Sequence, residues 1–294
     1  MASGAKHLIW LGWLLCSPVG AFAGAWTLPQ GQVWTKVTLF QQDADEWYLA
    51  SPEFVGGEVQ LAGSRRPYRF NGNYQSKAVF LEAVYGVTDR FDLGVQAPYL
   101  IQEYDDDTFL GSSEDSGFGD VRVFAKIRAL TAPAVLTLKL GAKMPTGDFT
   151  NADGVIPVGE GQWDFDFVGQ VGRSFWPLPL YANLDLGYRA RMKNKDIDRD
   201  PGDEWFFNAE VGVNLSRRLL FMTKLEGLRS EASTDFGIIK NESQIKRITY
   251  LTPALSLGLS EQAALEVGLR YTLNGRNFPA GHQVTAGLST SLNL

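Results

Sequence analysis

The chain has 294 residues, with 27 lysines and arginines against 33 aspartates and glutamates, which gives a formal net charge of -6 at pH 7. This balance argues against a nucleic-acid-binding protein, which normally carries an excess of basic residues. The length fits one large domain or two small ones, and a hydrophobic fraction of 45% also permits a soluble enzyme, so the order of the residues must indicate the fold.

The first residues have the pattern of a secretory signal peptide. After a short polar start, residues 8–15 form an apolar run, and a small-x-small cleavage site ends at Ala23. The run is too short for a membrane-spanning helix, which needs roughly 20 apolar residues. We expect cleavage after Ala23, or after Ala25, so that 1–23 is a removed signal peptide and 24–294 is one exported domain.

The predicted exported domain has no thiol chemistry, because the single cysteine, Cys16, lies in the signal peptide. Only a few residues separate the cleavage site from the first predicted strand at Gly31. This segment is too short to form a folded plug domain. We therefore expect no energy-coupled uptake. On length alone, the connection at 43–74 is the best candidate for a loop that folds inward.

From Gly31 onward, the chain consists of segments in which apolar and polar residues alternate, separated by turn residues. A period of two places the two sets on opposite faces of a β-strand. Twelve such segments follow in chain order: 31–42, 75–87, 90–102, 118–130, 134–144, 162–175, 179–192, 203–216, 218–229, 246–259, 263–275 and 283–294. Each has at least the roughly 9–11 residues that a tilted strand needs to cross a bilayer.

The connections between these segments alternate between short and long. The long ones are 43–74, 103–117, 145–161, 193–203, 230–245 and 276–280. This order predicts an all-β fold, a transmembrane antiparallel up-and-down β-barrel of about 12 strands, with short periplasmic turns and long external loops. An even strand count places both termini in the periplasm of a Gram-negative cell.

A soluble β-sandwich or barrel would show the same alternation, because the pattern does not reveal which face points outward. Charges on the polar face of nearly every segment favour the membrane barrel. Aromatic residues near the ends of the apolar faces also favour it, since they suit the interfacial girdles of such barrels. They include Tyr85, Phe91, Tyr99, Trp163, Trp205, Phe207 and Tyr271.

If the apolar faces meet lipid, the polar faces line the lumen. The basic candidates are Lys36, Arg122, Lys126, Arg128, Lys139, Lys143, Arg189, Arg191, Lys224 and Arg270. The acidic candidates are Glu82, Asp92, Asp164, Asp166, Asp185, Glu210, Glu226 and Glu266. Since 118–130 and 134–144 should pair, their five cations would form a basic wall. These charges either create a transverse field that selects solutes or fill the lumen with ion pairs.

Aromatic side chains share the predicted lumen face with these charges. They are Phe40, Phe80, Phe124, Tyr181, Phe206 and Tyr250. They either form a path for aromatic or apolar solutes or pack the barrel interior, and the sequence leaves both alternatives open.

Two acidic loops resemble metal sites, but we predict neither a metal nor a cofactor. Asp105 to Asp107 follow Glu103, and acidic residues at 196, 198, 200 and 203 have the spacing of a calcium loop. The second loop fails the EF-hand pattern, because Pro201 occupies the glycine position and Phe207 the final acidic position.

Four short motifs are distinctive: 85–91 (YGVTDRF), 94–99 (GVQAPY), 119–128 (GDVRVFAKIR) and 141–147 (GAKMPTG). From about Ala25 to the C-terminus, the chain resembles the outer-membrane proteins grouped as the "meta-pathway of phenol degradation" transporter family. The resemblance implies a barrel tied to passage of small compounds, including aromatic or apolar ones, and it supplies no catalytic residues. The chain ends in Leu294 rather than in the aromatic residue of many outer-membrane strands.

Three functions are compared. We favour a channel for passive passage of small organic compounds over an enzyme. The alternatives are a lipid-modifying hydrolase that uses His282, for which no nucleophile motif is present, and a structural or adhesive barrel that presents its loops. The expected partners are outer-membrane lipid and lipopolysaccharide, the barrel assembly machinery and a small-molecule solute, with no nucleic acid.

Overall fold

The structure is a computed structural model that describes residues 24–108, 112–149 and 157–294. The predicted signal peptide, 1–23, lies outside the described residues. No helix in the described part of the chain is long and apolar enough to span a membrane.

Twelve long antiparallel strands of the described residues form the barrel. They are β1 (Gln32–Ala44), β2 (Asn73–Thr88), β3 (Phe91–Asp105), β4 (Val121–Leu130), β5 (Val135–Met144), β6 (Asp164–Ser174), β7 (Leu180–Arg191), β8 (Glu204–Asn214), β9 (Leu219–Ser230), β10 (Arg247–Gly258), β11 (Ala263–Arg276) and β12 (Gln283–Asn293). Consecutive strands pair, and β1 pairs with both β2 and β12, which closes the sheet. The predicted twelve-stranded up-and-down barrel is confirmed.

The apolar face of every strand points outward. Leu39, Leu138 and Leu186 are 55%, 55% and 59% exposed, whereas the alternate positions Thr137 and Asp164 are 0% exposed. Soluble proteins rarely expose such continuous apolar surface. The apolar band is therefore the surface that meets lipid, and the polar residues line the lumen, as expected of a membrane barrel rather than a soluble one.

Short turns connect the strands at one end of the barrel, the turn end, and longer segments connect them at the other, the loop end. The sequence predicted a loop at 103–117, and this prediction is wrong for the part that begins at Ser112, which is a strand. The strand Ser112–Phe118 pairs with β3, from Tyr99↔Phe118 to Asp105↔Ser112. It leads into β4 through Gly119, whose N–H donates to the carbonyl of Pro98 at 2.9 Å.

The long connections carry short strands and two 3-10 turns, Arg69–Asn71 and Glu242–Gln244. Glu46–Tyr48 pairs with Arg65–Pro67 and with Phe278–Pro279. Two further small sheets join Glu53–Val55 to Glu58–Gln60, and Arg199–Asp200 to the hairpin of Ser233–Asp235 and Ile239–Asn241. These loops are therefore folded structures over the loop end.

A β-bulge interrupts the alternation where β10 meets β11. Tyr250 pairs with Thr272, but Thr249 pairs with Asn274, so β11 contains one extra residue. Asn274, which alternation alone places on the lumen face with Arg270, is exposed and hydrogen-bonded to Thr249. Beyond the bulge, the faces of β11 are exchanged relative to the predicted pattern.

Candidate functional site: the barrel lumen

The short stretch before β1 enters the lumen at the turn end. We call residues 24–30 the N-terminal segment. Ala25 and Leu28 are 0% and 2% exposed. The Trp26 ring meets the Tyr181 ring edge-on with centroids 5.9 Å apart. Gly172 leaves the space for this indole, since a Cβ there would lie 2.8 Å from the Trp26 ring.

Polar side chains of the lumen hold the backbone of the N-terminal segment. The Lys126 ammonium donates to the carbonyl of Trp26 at 2.6 Å. The Leu28 N–H donates to the Asp92 carboxylate at 3.1 Å, and Asp92 is 1% exposed. Backbone N–H and C=O groups that lie away from water need hydrogen-bond partners. These contacts supply such partners to the N-terminal segment inside the barrel.

Two further contacts hold Ala25. Its N–H donates to Asn183 Oδ1 at 2.9 Å, and its carbonyl accepts a hydrogen bond from the Thr137 hydroxyl. Sequence reasoning missed this segment because it considered only a folded plug domain. The signal was present in two large apolar residues just before the first strand, Trp26 and Leu28.

Toward the loop end, nine charged residues on and beside β4 to β8 form one connected group, which we call the outer ion network. Its members are Asp120, Arg122, Lys143, Glu160, Asp164, Asp166, Arg189, Arg191 and Glu204. Arg191 binds Glu160 at 2.8 Å and Glu204 at 3.1 Å. Arg189 binds Asp166 and Glu204, each at 2.7 Å.

The cations of the expected basic wall lie side by side on β4 and β5, but carboxylates pair with several of them. Lys143 lies opposite Arg122, and Lys139 lies opposite Lys126. Lys143, however, lies 3.0 Å from Asp120 and 3.1 Å from Asp164 on its other side. Arg122 binds Asp166 at 3.1 Å.

A second group, the central ion network, crosses from β1 to β8. Lys36 lies 2.8 Å from Glu266, and Lys224 lies 3.4 Å from Glu266 and 3.5 Å from Glu210. Tyr181 donates to Glu210 at 2.5 Å. Beside this network, Arg270 binds Glu226 at 3.0 Å.

Some predicted lumen charges have no ion pair with any described residue within 4.0 Å. They are Glu82, Arg128, Lys139 and Asp185. The Lys139 ammonium lies 4.0 Å from the centre of the Phe124 ring. Asp185 accepts a hydrogen bond from Asn183 at 2.8 Å. The lumen thus combines ion-paired networks with a few charges that lie more than 4.0 Å from any described residue of opposite charge.

Cations cover the rings of three lumen aromatics. Besides Lys139 on Phe124, Arg189 lies 5.2 Å from the centre of Phe206, and Arg270 lies 3.9 Å from that of Tyr250.

Phe40 and Phe80 differ, because they meet each other edge-on at 6.2 Å and no cation of the described residues lies over them. From Thr38 to Gln42 on β1 and from Ser76 to Phe80 on β2, the lumen-facing side chains are uncharged, and Lys36 and Glu82 follow on the same face toward the turn end. We call this surface of β1 and β2 the neutral wall, and it comprises Thr38, Phe40, Gln42, Ser76, Ala78 and Phe80. In a twelve-stranded barrel, β1 and β2 lie across the lumen from β7 and β8.

Aromatic residues of the loop at 45–72 pack over the loop end. Tyr48 belongs to a buried cluster with Ile248, Tyr250 and Ala280. The Tyr68 ring lies 5.5 Å from that of Tyr104. Burial raises the pKa of the Tyr68 phenol, so this ring stays neutral at any physiological pH. This loop, chosen on length alone, therefore lies over the entrance.

His282 and the acidic residues of the loops pack against, or bind to, neighbouring protein side chains and backbone. His282 is exposed, and its ring packs on Tyr271 with centroids 5.1 Å apart. Asp203 accepts a hydrogen bond from the Arg191 N–H at 2.8 Å, and Asp198 pairs with Lys193. Hydrogen bonding to Arg199 lowers the pKa of Asp235. Within the described ranges, no group of three side chains could hold a metal ion.

The fold and its apolar outer face define a class: an outer-membrane β-barrel. The sequence profile of the MetA-pathway of phenol degradation family matches residues 66–287, which is well over half of the chain. The chain belongs to this family. No curated protein matches its sequence.

Solved structures share the fold at low sequence identity. The COG4313 outer membrane channel from Pseudomonas putida F1 is 16% identical, with a TM-score of 0.74, and the match covers 92% of this chain and 98% of that one. The beta domain of the Bordetella autotransporter Brka is 12% identical, with a TM-score of 0.51, and the match covers 90% and 100%. Both comparisons support the outer-membrane barrel fold.

Proposed function

We propose that this protein is a passive outer-membrane channel for small organic compounds that combine an aromatic ring with a polar group, such as phenols and benzoates. One observation carries the proposal. The neutral wall, with Phe40 and Phe80, and the unpaired Lys139 are exposed to the same lumen. Glu82 and Asp185 attract the Lys139 ammonium from beyond 4.0 Å, and no hydrogen bond from it to a described residue is formed, so its donors are open to water or to a polar solute group.

The family and one solved structure support this proposal. The family's description refers to phenol degradation, and the Pseudomonas putida F1 protein is described as an outer membrane channel. The ion networks on the opposite wall hold charged side chains in fixed positions. Charges fixed along a pore select among solutes by their own charge.

We further propose that the turn end faces the periplasm, with both termini there and with lipopolysaccharide around the loop end, after insertion by the barrel assembly machinery. Cleavage after Ala23 is favoured over cleavage after Ala25. It retains the Ala25 N–H and carbonyl, which contact Asn183 and Thr137. N-terminal sequencing of the protein from outer membranes should read Gly24 first.

The test is flux into proteoliposomes that contain the refolded protein. Benzoate and phenol should enter faster than into empty liposomes, and a neutral sugar of similar mass should enter more slowly than either. Equal rates with and without protein, when heat-modifiable gel migration shows a folded barrel, would contradict the proposal.

The hydrolase alternative receives no support from the lumen or the rim. In the part of the chain that the structure describes, no hydrogen bond joins His282 to a serine or an acidic residue. A general base must lie within hydrogen-bond reach of its partner, although such contacts can be longer in an unliganded site. We therefore propose a channel rather than an enzyme.

A further inference from the structure

Three arginines lie side by side on the lipid-facing surface near the loop end. Arg229 on β9 pairs in register with Arg247 on β10, which pairs with Arg276 on β11. Directly paired residues have Cβ atoms about 4.5–5.5 Å apart, and like charges at such positions are destabilising. The β-bulge in β11 brings Arg276 into this row, because strict alternation from Arg270 would direct it into the lumen. We call these three residues the arginine row.

The arginine row has no carboxylate partner. Among the described residues, none of the three forms an ion pair within 4.0 Å. Arg276 donates to two backbone carbonyls, those of Ala50 at 2.7 Å and Glu242 at 2.8 Å. Arg229 and Arg247 are exposed. The row therefore has unused guanidinium donors and uncompensated positive charge.

The row forms the floor of an open groove of about 870 Å³. The hairpin of Ser233–Asp235 and Ile239–Asn241 contributes a fourth cation to this groove, Lys240. Two carboxylates, Glu231 and Glu242, also line it, and neither pairs with the four cations. The groove keeps a surplus of positive charge.

The groove lies at the level of the membrane interface. Trp205 on β8 is in register with Arg229, lines the groove and is 60% exposed. Its ring packs on that of Tyr188 at 4.8 Å. Exposed tryptophan and tyrosine in membrane barrels mark the height of the lipid headgroups.

Three cations in register give this sector of the barrel its basic character, whereas the register partners of Lys77 on the outer face of β2 are Gln41 and Ile101. Below the row lies the polar pair Thr249 and Asn274, and beyond it the lipid-facing residues are apolar, as Leu225 and Leu251 show. The loop end of β3 carries acidic residues instead, with Glu103 and Asp105 on its outer face and Glu114 beside them. A ligand held by the row would have its anionic part at the interface and its apolar part against the strands.

We propose that the groove over the arginine row binds the phosphorylated saccharide headgroup of an outer-leaflet glycolipid, with the acyl chains lying along β9 to β11. Guanidinium groups bind phosphate through paired, charge-assisted hydrogen bonds. The proposal rests on the orientation given above, in which the loop end faces outward, but it does not depend on what passes through the lumen.

The test measures lipid binding to the purified full-length barrel in detergent by native mass spectrometry. The probes are bisphosphorylated lipid A, dephosphorylated lipid A, phosphatidylglycerol and inorganic phosphate. The variant Arg229→Gln/Arg247→Gln removes the two exposed cations. It leaves Arg276 in place, because this side chain donates hydrogen bonds to loop carbonyls at Ala50 and Glu242. Its matched control is Arg217→Gln/Arg218→Gln, because both residues are exposed in the turn at the other end of the barrel.

Wild type and control should bind bisphosphorylated lipid A. The row variant should bind it at least about tenfold more weakly, because it loses charge-assisted hydrogen bonds to the phosphates. The other three probes should bind weakly to all three proteins. Unchanged lipid A affinity in a folded row variant would overturn the proposal. Equal affinity for phosphatidylglycerol would show unspecific charge attraction, and equal affinity for inorganic phosphate would show a free-anion site. Bilayer conductance of the row variant should equal that of wild type, which separates this result from any failure of the channel proposal.

Discussion

Lys139 lies against an aromatic ring rather than a carboxylate, with its ammonium 4.0 Å from the centre of Phe124. If it provides the polar contact for an anionic aromatic solute, Lys139→Met should weaken block of the channel by benzoate about tenfold, since a hydrogen bond to a charged group contributes roughly 1.5–3 kcal/mol. Block by neutral phenol should change little. Single-channel recording measures both. Lys77→Met is the control, because Lys77 is exposed on the outer face of β2. Equal loss in both variants would contradict the role of Lys139.

Arg191 joins three carboxylates of the outer ion network, those of Glu160, Asp164 and Glu204, and its side chain is 3% exposed. Arg191→Gln leaves Glu160 and Glu204 without this partner. Breaking one side of a buried ion pair typically costs about 3–5 kcal/mol. Urea unfolding in lipid vesicles should show a loss of this size, whereas Arg217→Gln on the exposed turn should change the free energy of unfolding by less than about 0.5 kcal/mol. A loss below about 1 kcal/mol for Arg191→Gln would show that the network stabilises little.

The residues of the candidate site were predictable, but several of their partners were not. Alternation placed Lys36 and Glu266 on the polar faces of their strands. Their contact crosses β12, however, because Gly287 lies between them: a Cβ there would come 2.7 Å from Lys36 Cε. Such a contact depends on the register of three strands, which a single sequence does not supply.

At the scale of elements, the strands followed from the sequence because lipid and lumen impose a period of two over ten or more residues. The bulge in β11 and the strand Ser112–Phe118 did not follow. A bulge inserts one residue without breaking the apolar pattern around it, and Ser112–Phe118 is polar enough to resemble a loop. The position of the N-terminal segment was not predicted, because side chains of the lumen hold it and the segment has no periodic pattern of its own.

The N-terminal segment requires a glycine opposite Trp26. Gly172→Val should place a side chain where the indole lies and so displace the segment, since a Cβ there would be 2.8 Å from the ring. Overpacking of this kind costs typically about 1–3 kcal/mol, which urea unfolding in vesicles measures. Gly169→Val on the same strand is the control, because no atom lies within 4 Å of its Cβ position. Equal stabilities of the two variants would contradict the packing of Trp26 against β6.

At the scale of the whole molecule, the barrel has one apolar surface and one strongly structured interior. The outer ion network lies toward the loop end, the N-terminal segment occupies the turn end, and the neutral wall lines the side of the lumen opposite β7 and β8. In this arrangement, the strands fix the charges, and lumen side chains hold the backbone of the segment. We infer that the segment limits passage through the proposed channel. The proposed channel is therefore narrow and selective rather than a general pore.

The most direct test of this account is single-channel recording in planar bilayers of the wild-type protein and of a variant in which residues 25–29 are replaced by glycine and serine. The replacement removes the rings and apolar side chains of Trp26 and Leu28 while keeping the chain length. We predict a small, stable conductance for the wild type and a conductance several times larger for the variant. Identical conductances, or none in either protein when both are shown to be folded, would contradict a channel limited by its N-terminal segment.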